Sequence, residues 1–187
     1  MMDLDAIYKD AETRMQKSVK AFKSELKHLK TGRATPALLE DLKIEYYGSQ
    51  IEITKIASVV APEPRLLVIQ PWDKTVIGEI VKAIQKSGLG LNPQSDGNVV
   101  RVPIPPLSED SRRQLVKLVG KLAEDARIAV RNIRRDAISK VKRMEKEKQI
   151  SEDDRKRAED KLNELTQKYT EEINKIAEAK EKEIMES

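Results

Sequence analysis

The stretch LVKLVGKLAEDARIAVRNIRRDAISKVKRM, residues 115–144, decides the fold. Its apolar residues Leu115, Val119, Leu122, Ala126, Val130, Ile133, Ala137, Val141 and Met144 recur at steps of three and four, the spacing of one helix face. No proline interrupts the series, and the internal Gly120 costs such a helix only about 1 kcal/mol. The positions between are mostly charged. This helix needs a partner along one stripe and water along the rest.

Two further stripes supply partners. Leu4, Ile7, Ala11, Met15, Val19, Phe22, Leu26 and Leu29 form one, and Ala158, Leu162, Leu165, Tyr169, Ile173 and Ile176 form the other. Ser151-Glu152-Asp153-Asp154 precedes the last, a capping-box pattern that places acids in the positively polarised first turn. Packed along their stripes, the three helices make an elongated antiparallel three-helix bundle.

Between the first two helices the pattern changes. Residues 31–105 hold seven of the eight prolines and six of the seven glycines. Lys43–Tyr47 and Gln50–Ile53 flank Gly48-Ser49, a two-residue hairpin signal, while residues 56–60, 66–70 and 99–102 read as further strands. Asp73 is placed to cap a short helix with Ile77, Ile80, Val81 and Ile84 on one face, stopped at Ser87-Gly88. The expected class is therefore α+β with two domains: a bundle of residues 1–30 and 106–187, and an inserted β/α/β domain of residues 31–105. Two segments cross between them. The outgoing one, residues 30–36, contains Gly32, and the return, residues 102–108, carries Pro103, Pro105 and Pro106. They read either as plain linkers or as a hinge pairing a stiff strut with a pliable one.

Composition excludes much else. The chain has no Cys and one His, so disulfides, cysteine-ligated metals and a Cys nucleophile are impossible, and a Ser–His–Asp arrangement would have to recruit His28. His28 lacks spaced ligand partners and reads as a surface residue. No run of about 18 apolar residues exists to span a membrane, and the polar start is unlike a secretory signal, so a cytoplasmic home is expected. Gly88-Leu89-Gly90-Leu91-Asn92-Pro93 lacks the third glycine and the Lys-Ser/Thr of a nucleotide cradle. No catalytic constellation is visible, and no cofactor is expected.

The net charge of +4 conceals a pattern. Residues 1–30 carry +2, residues 31–105 zero, residues 106–148 +6 and residues 149–187 −4. Arg127, Arg131, Arg134 and Arg135 fall within about 100° of arc on a helical wheel, with Arg113, Lys117 and Lys142 on the same side. The planar guanidinium fork suits phosphate. The competing reading is a solvated face paired with acids of a neighbouring helix. Glu124 and Asp136 interrupt the run without, on this reading, neutralising it. With only six aromatic residues in the chain a base-stacking platform is not expected, and Tyr46, Tyr47 and Trp72 read as packing residues. Two function classes remain: a factor that engages RNA by shape and charge, and a helical adaptor that binds proteins.

Residues 30–39 (KTGRATPALL), 45–48 (EYYG), 89–93 (LGLNP), 101–107 (RVPIPPL) and 130–136 (VRNIRRD) closely resemble, in the same order along essentially the whole chain, the bacterial ribosome recycling factors. The resemblance implies an L-shaped monomer, similar to a tRNA in outline. It implies action on the 70S ribosome after peptide release, across its A and P sites. Elongation factor G would be the partner whose GTP hydrolysis helps split the ribosome into subunits. The family's contacts with large-subunit rRNA carry over to Arg113, Arg127, Arg131, Arg134 and Arg135, on the face that also presents Lys117. Its hinge, at residues 31–35 and 103–107, carries over to Thr31, Gly32, Arg33, Pro103, Pro105 and Pro106.

Overall fold

In chain order the elements are α1 (Leu4–Lys27), β1 (Lys43–Tyr46), β2 (Ser49–Glu52), the single turn α2 (Ile53–Ile56), β3 (Ala57–Glu63) and β4 (Leu66–Pro71). After these come α3 (Ile77–Lys86), β5 (Gln94–Ser95), β6 (Val100–Pro103), α4 (Glu109–Lys146) and α5 (Glu152–Glu186). The computed structural model describes residues 3–29 and 32–186. They divide into two units, one built from α1 and residues 113–185, the other on residues 28–112.

In the first unit the three stripes face inward. Ile7, Ala11, Met15, Val19, Phe22 and Leu26 of α1 are buried, as are Val119, Ala126, Val130, Ile133, Ala137 and Val141 of α4. At three turns the stripe shifts by one residue from the sequence expectation. Ala123 is buried where Leu122 was expected, Thr166 where Leu165 was, and Ala177 where Ile176 was. Lines of close helix approach admit small side chains, and the larger neighbour lies half-buried on the flank. Thr166 incurs little penalty, because its hydroxyl donates to the Leu162 carbonyl at 2.8 Å. The α5 cap forms as the sequence predicts: the Ser151 Oγ accepts from the Asp154 N–H at 3.0 Å, and an Asp154 oxygen accepts from the Ser151 N–H at 3.2 Å. The turn before it passes through Lys148 at φ +60°.

The second unit has its own core. Strands β3, β4, β6 and β5 form an antiparallel sheet in that order, and β1–β2 is a separate hairpin. Leu67 and Ile69 of β4 and Val100 and Val102 of β6 alternate inward, joined by Ile77, Ile80 and Ile84 of α3 and by Leu39, Ile44 and Ile53. Pro62 sits in edge strand β3, where a missing N–H is tolerated.

Several local expectations are corrected. The hairpin turn is Tyr47-Gly48, not Gly48-Ser49. Tyr46 pairs with Ser49, and both turn residues take positive φ, +50° and +81°, as a tight two-residue loop of matching twist requires. Tyr47 is consequently 87% exposed rather than packed. Trp72 is 73% exposed too, its place in the core taken by flanking Pro71. Asp73 does cap, accepting from the Thr75 N–H at 3.0 Å and hydroxyl at 2.6 Å, but it caps a 3₁₀ turn (Lys74–Val76) that leads into α3. Tyr46, half-buried, donates its hydroxyl to the other Asp73 oxygen at 3.1 Å. These bonds, Thr75 foremost, hold the Asp73 carboxyl below its ordinary pKa. Strand β5 and the α2 turn, too short for any periodicity, were not expected.

Candidate nucleic-acid interface

The cationic side of α4 follows from its sequence spacing. Because the buried stripe turns inward, the flank at residues 113, 117, 127, 131, 134 and 135 turns toward solvent. Arg113, Lys117 and Arg135 are exposed, and Arg127, Arg131 and Arg134 are half-buried.

Glu124 lies in the middle of this flank and organises it. Its Oε2 accepts from the Arg127 Nε and Nη2 at 3.0 and 2.8 Å, and its Oε1 accepts from the Arg131 Nη2 at 2.8 Å. Hydrogen bonds from Arg127 first, then Arg131, hold its carboxyl below the ordinary value. The expectation that Glu124 leaves the run unneutralised is therefore corrected: one carboxylate holds two of the four clustered arginines. Spacings of three and seven residues put all three on one stripe, a signal present in the sequence. Arg127 also donates through Nη1 to Asn174 of α5 at 2.8 Å, a contact no sequence pattern announces.

Three of the other cations are freer. Arg135 reaches only Asn132, at 3.4 Å. Arg134 and Lys117 have no acidic partner among the described residues. Asp136 faces away, taking Arg14 of α1 at 3.2 Å. Near the distal turn, Arg155 pairs with Glu145 of α4 and, at 3.1 Å, with Glu159. The structure thus sorts the face into a held pair, Arg127 and Arg131, and an open set led by Arg134 and Lys117.

The crossing segments are also placed. Gly32 is buried with φ +79°, a conformation costly for any residue with a Cβ, and Arg33 beside it is exposed. Pro103 lies in β6, opposite Leu66, and Ile104 donates its N–H to the Arg65 carbonyl at 2.8 Å, so the return segment leaves the sheet only after Ile104. Gly32, Arg33, Pro105 and Pro106 meet around a hollow of about 310 Å³ completed by Leu38, Leu89 and Leu91. Thr31, expected in the hinge, lies outside the described residues.

Elsewhere the molecule offers little chemistry. His28 is exposed, and no cluster able to hold a metal ion occurs among the described residues. No helix among them is long and apolar enough to cross a membrane. The loop at residues 88–93 turns through Gly88 and Gly90, both at positive φ.

Comparison with known proteins is consistent with this architecture. The family model for ribosome recycling factor matches residues 22–185. The ribosome-recycling factor of Symbiobacterium thermophilum is 51% identical over 180 residues, covering 96% of this chain and 97% of that protein. That of Thermosipho africanus is 52% identical over 182 residues, covering 97% and 98%. A solution structure of the ribosome recycling factor superposes with TM-score 0.80 at 47% identity, covering all of both chains. A second similar structure, of T. thermophilus ribosome recycling factor with E. coli elongation factor G on the E. coli post-termination complex, gives TM-score 0.69 at 45% identity, covering 98% of this chain and 99% of that one. The chain belongs to the ribosome recycling factor family.

Proposed function

We propose that this chain is a non-enzymatic translation factor that binds the post-termination ribosome through the basic flank of α4. With elongation factor G, which supplies the GTP hydrolysis, it splits the ribosome into subunits for reuse. A relative of the same fold and length seated with elongation factor G on a post-termination complex supports the setting. The site reading rests on one observation: the open cations Arg134 and Lys117 lie on the same stripe as Arg113, Arg127, Arg131 and Arg135. They face outward from a rigid helix of 38 residues, about 57 Å long. Such a flank recognises the RNA backbone by charge and position, not by base identity.

Salt titration of binding to the large ribosomal subunit tests the site. With about four phosphate contacts, log K against log salt has a slope of roughly −3. Arg134→Ala should weaken binding and make the slope shallower by about 0.75, with an unchanged fold. Glu124→Gln should act in the opposite sense, because it releases Arg127 and Arg131 toward the RNA. A flat wild-type plot would favour a helical adaptor that binds protein.

The hollow between the two crossing segments supports a hinge at Gly32, Arg33, Pro105 and Pro106, with Pro103 anchored in the sheet and Thr31 beside it in sequence. A covalent crosslink between the two segments, from exposed position 33 to position 105, should preserve binding and abolish splitting measured by light scattering. Full splitting by the crosslinked protein rejects the hinge.

A further inference from the structure

A second basic surface lies on the bundle, away from the basic flank of α4 and invisible to a segment-by-segment count of charge. Between α1 and α5 runs a groove of about 350 Å³ lined by Gln16, Val19, Lys20, Lys23, Lys168, Tyr169 and Glu172. Three lysines against one glutamate leave it at +2, although α5 belongs to the acidic part of the chain. Glu172 contacts Lys23 only loosely, at 3.7 Å, and Lys20 and Lys168 have no acidic partner among the described residues.

The groove also presents neutral donors, on exposed Gln16 and on Tyr169. Tyr169 is 3% exposed, and its hydroxyl accepts from the Gln16 side-chain amide at 3.1 Å. The amide and the phenol together have three donor hydrogens and consume one between them, whichever way the amide is turned. No other acceptor for them occurs among the described residues. In the free protein these donors turn to solvent, and an anion's oxygen entering the groove could take the place of water on them.

The cationic character continues along the groove. On α5, lysines recur every seventh residue at Lys161, Lys168 and Lys175, one stripe of the helix at steps of about 10.5 Å. Lys161 lies 4.4 Å from the Tyr8 ring centroid, which fixes that stripe against α1. Glu164 and Glu172 lie among these lysines, but with Lys20 and Lys23 of α1 the surface holds five lysines against two glutamates, a cationic excess that a nucleic-acid backbone would meet. A protein partner would have to bring acids at the same interval.

We propose that the α1–α5 groove is a second phosphate-binding surface, contacting the RNA backbone through Lys20, Lys23 and Lys168 with the Gln16–Tyr169 pair as neutral donors. This rests on the reading that the partner is large-subunit RNA, and adds a contact that the α4 flank does not supply.

The test is co-sedimentation of the full chain with large ribosomal subunits over a salt series, comparing wild type, a Lys20→Gln/Lys168→Gln double variant, Tyr169→Phe and Arg134→Ala. All three altered lysine and arginine positions lie outside the buried core, and circular dichroism checks each fold. Losing two phosphate contacts should make the log–log slope shallower by about 1.5. Tyr169→Phe should weaken binding and leave the slope as in wild type, since it removes a donor and no charge. The loss from Arg134→Ala should persist undiminished in the double-variant background. Wild-type affinity and slope in the double variant would overturn the groove while an Arg134 effect leaves the α4 reading standing. Weakened binding with an unchanged slope in the double variant would also overturn it, by showing that the lysines meet no phosphate.

Discussion

The two units cover their apolar surface in opposite ways. The bundle hides nearly every ring it has, Phe22 and Tyr169 being buried, and presents charge. The inserted unit, neutral over residues 31–105, presents rings instead: Tyr47 and Trp72 are the most exposed large hydrophobic residues among those described. One unit presents a charged surface and the other a net-neutral, ring-bearing one. The difference follows from periodicity. A long helix with one buried stripe leaves about two-thirds of its circumference for solvated side chains, whereas a short four-stranded sheet commits its alternate residues to a shared core.

Stability measurements can break this contrast where the expected effect is greatest, in the two cores. Phe22→Ala should destabilise by about 3–5 kcal/mol and Leu67→Ala by about 2–5 kcal/mol, since each empties a fully buried site. If the units hold separate cores, the first loss falls on the helical signal at about 222 nm, which the long bundle helices dominate. The second then leaves that signal's midpoint close to wild type. Coincident shifts in both variants would mean a single cooperative core.

A smaller effect separates the ways in which the units secure helix starts. Ser151→Ala removes the α5 cap and should cost about 1 kcal/mol in urea unfolding. Its partner Asp154 has a depressed pKa, chiefly from the backbone hydrogen bond to Ser151. A depressed carboxylate stabilises the fold above its unfolded pKa, and the contribution is lost as pH falls through the folded value. The gap between wild type and Asp154→Ala, which removes the carboxylate itself, should therefore be full at neutral pH and close on acidification below the ordinary 3.8. A gap that widens in acid would refute the cap as its source.

The smallest effect is expected at the exposed rings. Trp72→Ala should change stability by no more than about 0.5 kcal/mol, because the side chain is 73% exposed. A loss several times larger would show that the ring is covered in the functional state of the free protein.

What could be read from the sequence divides along the same line. Helices α1, α4 and α5 were legible because their stripes persist for many turns, and single-residue slips such as Leu122 for Ala123 leave the pattern intact. In the inserted unit a one-residue shift matters more. Moving the turn from Gly48-Ser49 to Tyr47-Gly48 turned a packing residue into an exposed one. The cationic flank was legible from the wheel, since it depends on one helix alone. The grip of Glu124 on Arg127 and Arg131 lay in the spacing but needed side-chain reach to decide. The lysine groove was not legible, because it depends on which helix lies beside which.

The burial of Thr166 has one more consequence. Its hydroxyl is satisfied by its own helix, so of the bundle's two buried hydroxyls only that of Tyr169 reaches another helix, at Gln16 of α1. Apart from that bond, the shapes of aliphatic side chains are all that tells one helix, from inside, how far to slide along another. The rest of the information is written on the rim, in Arg14 with Asp136 and Arg127 with Asn174. The same rim that meets the outside world therefore keeps the helices in alignment. On the proposed reading of the α4 flank, Arg127 has two tasks, and a change made for one disturbs the other.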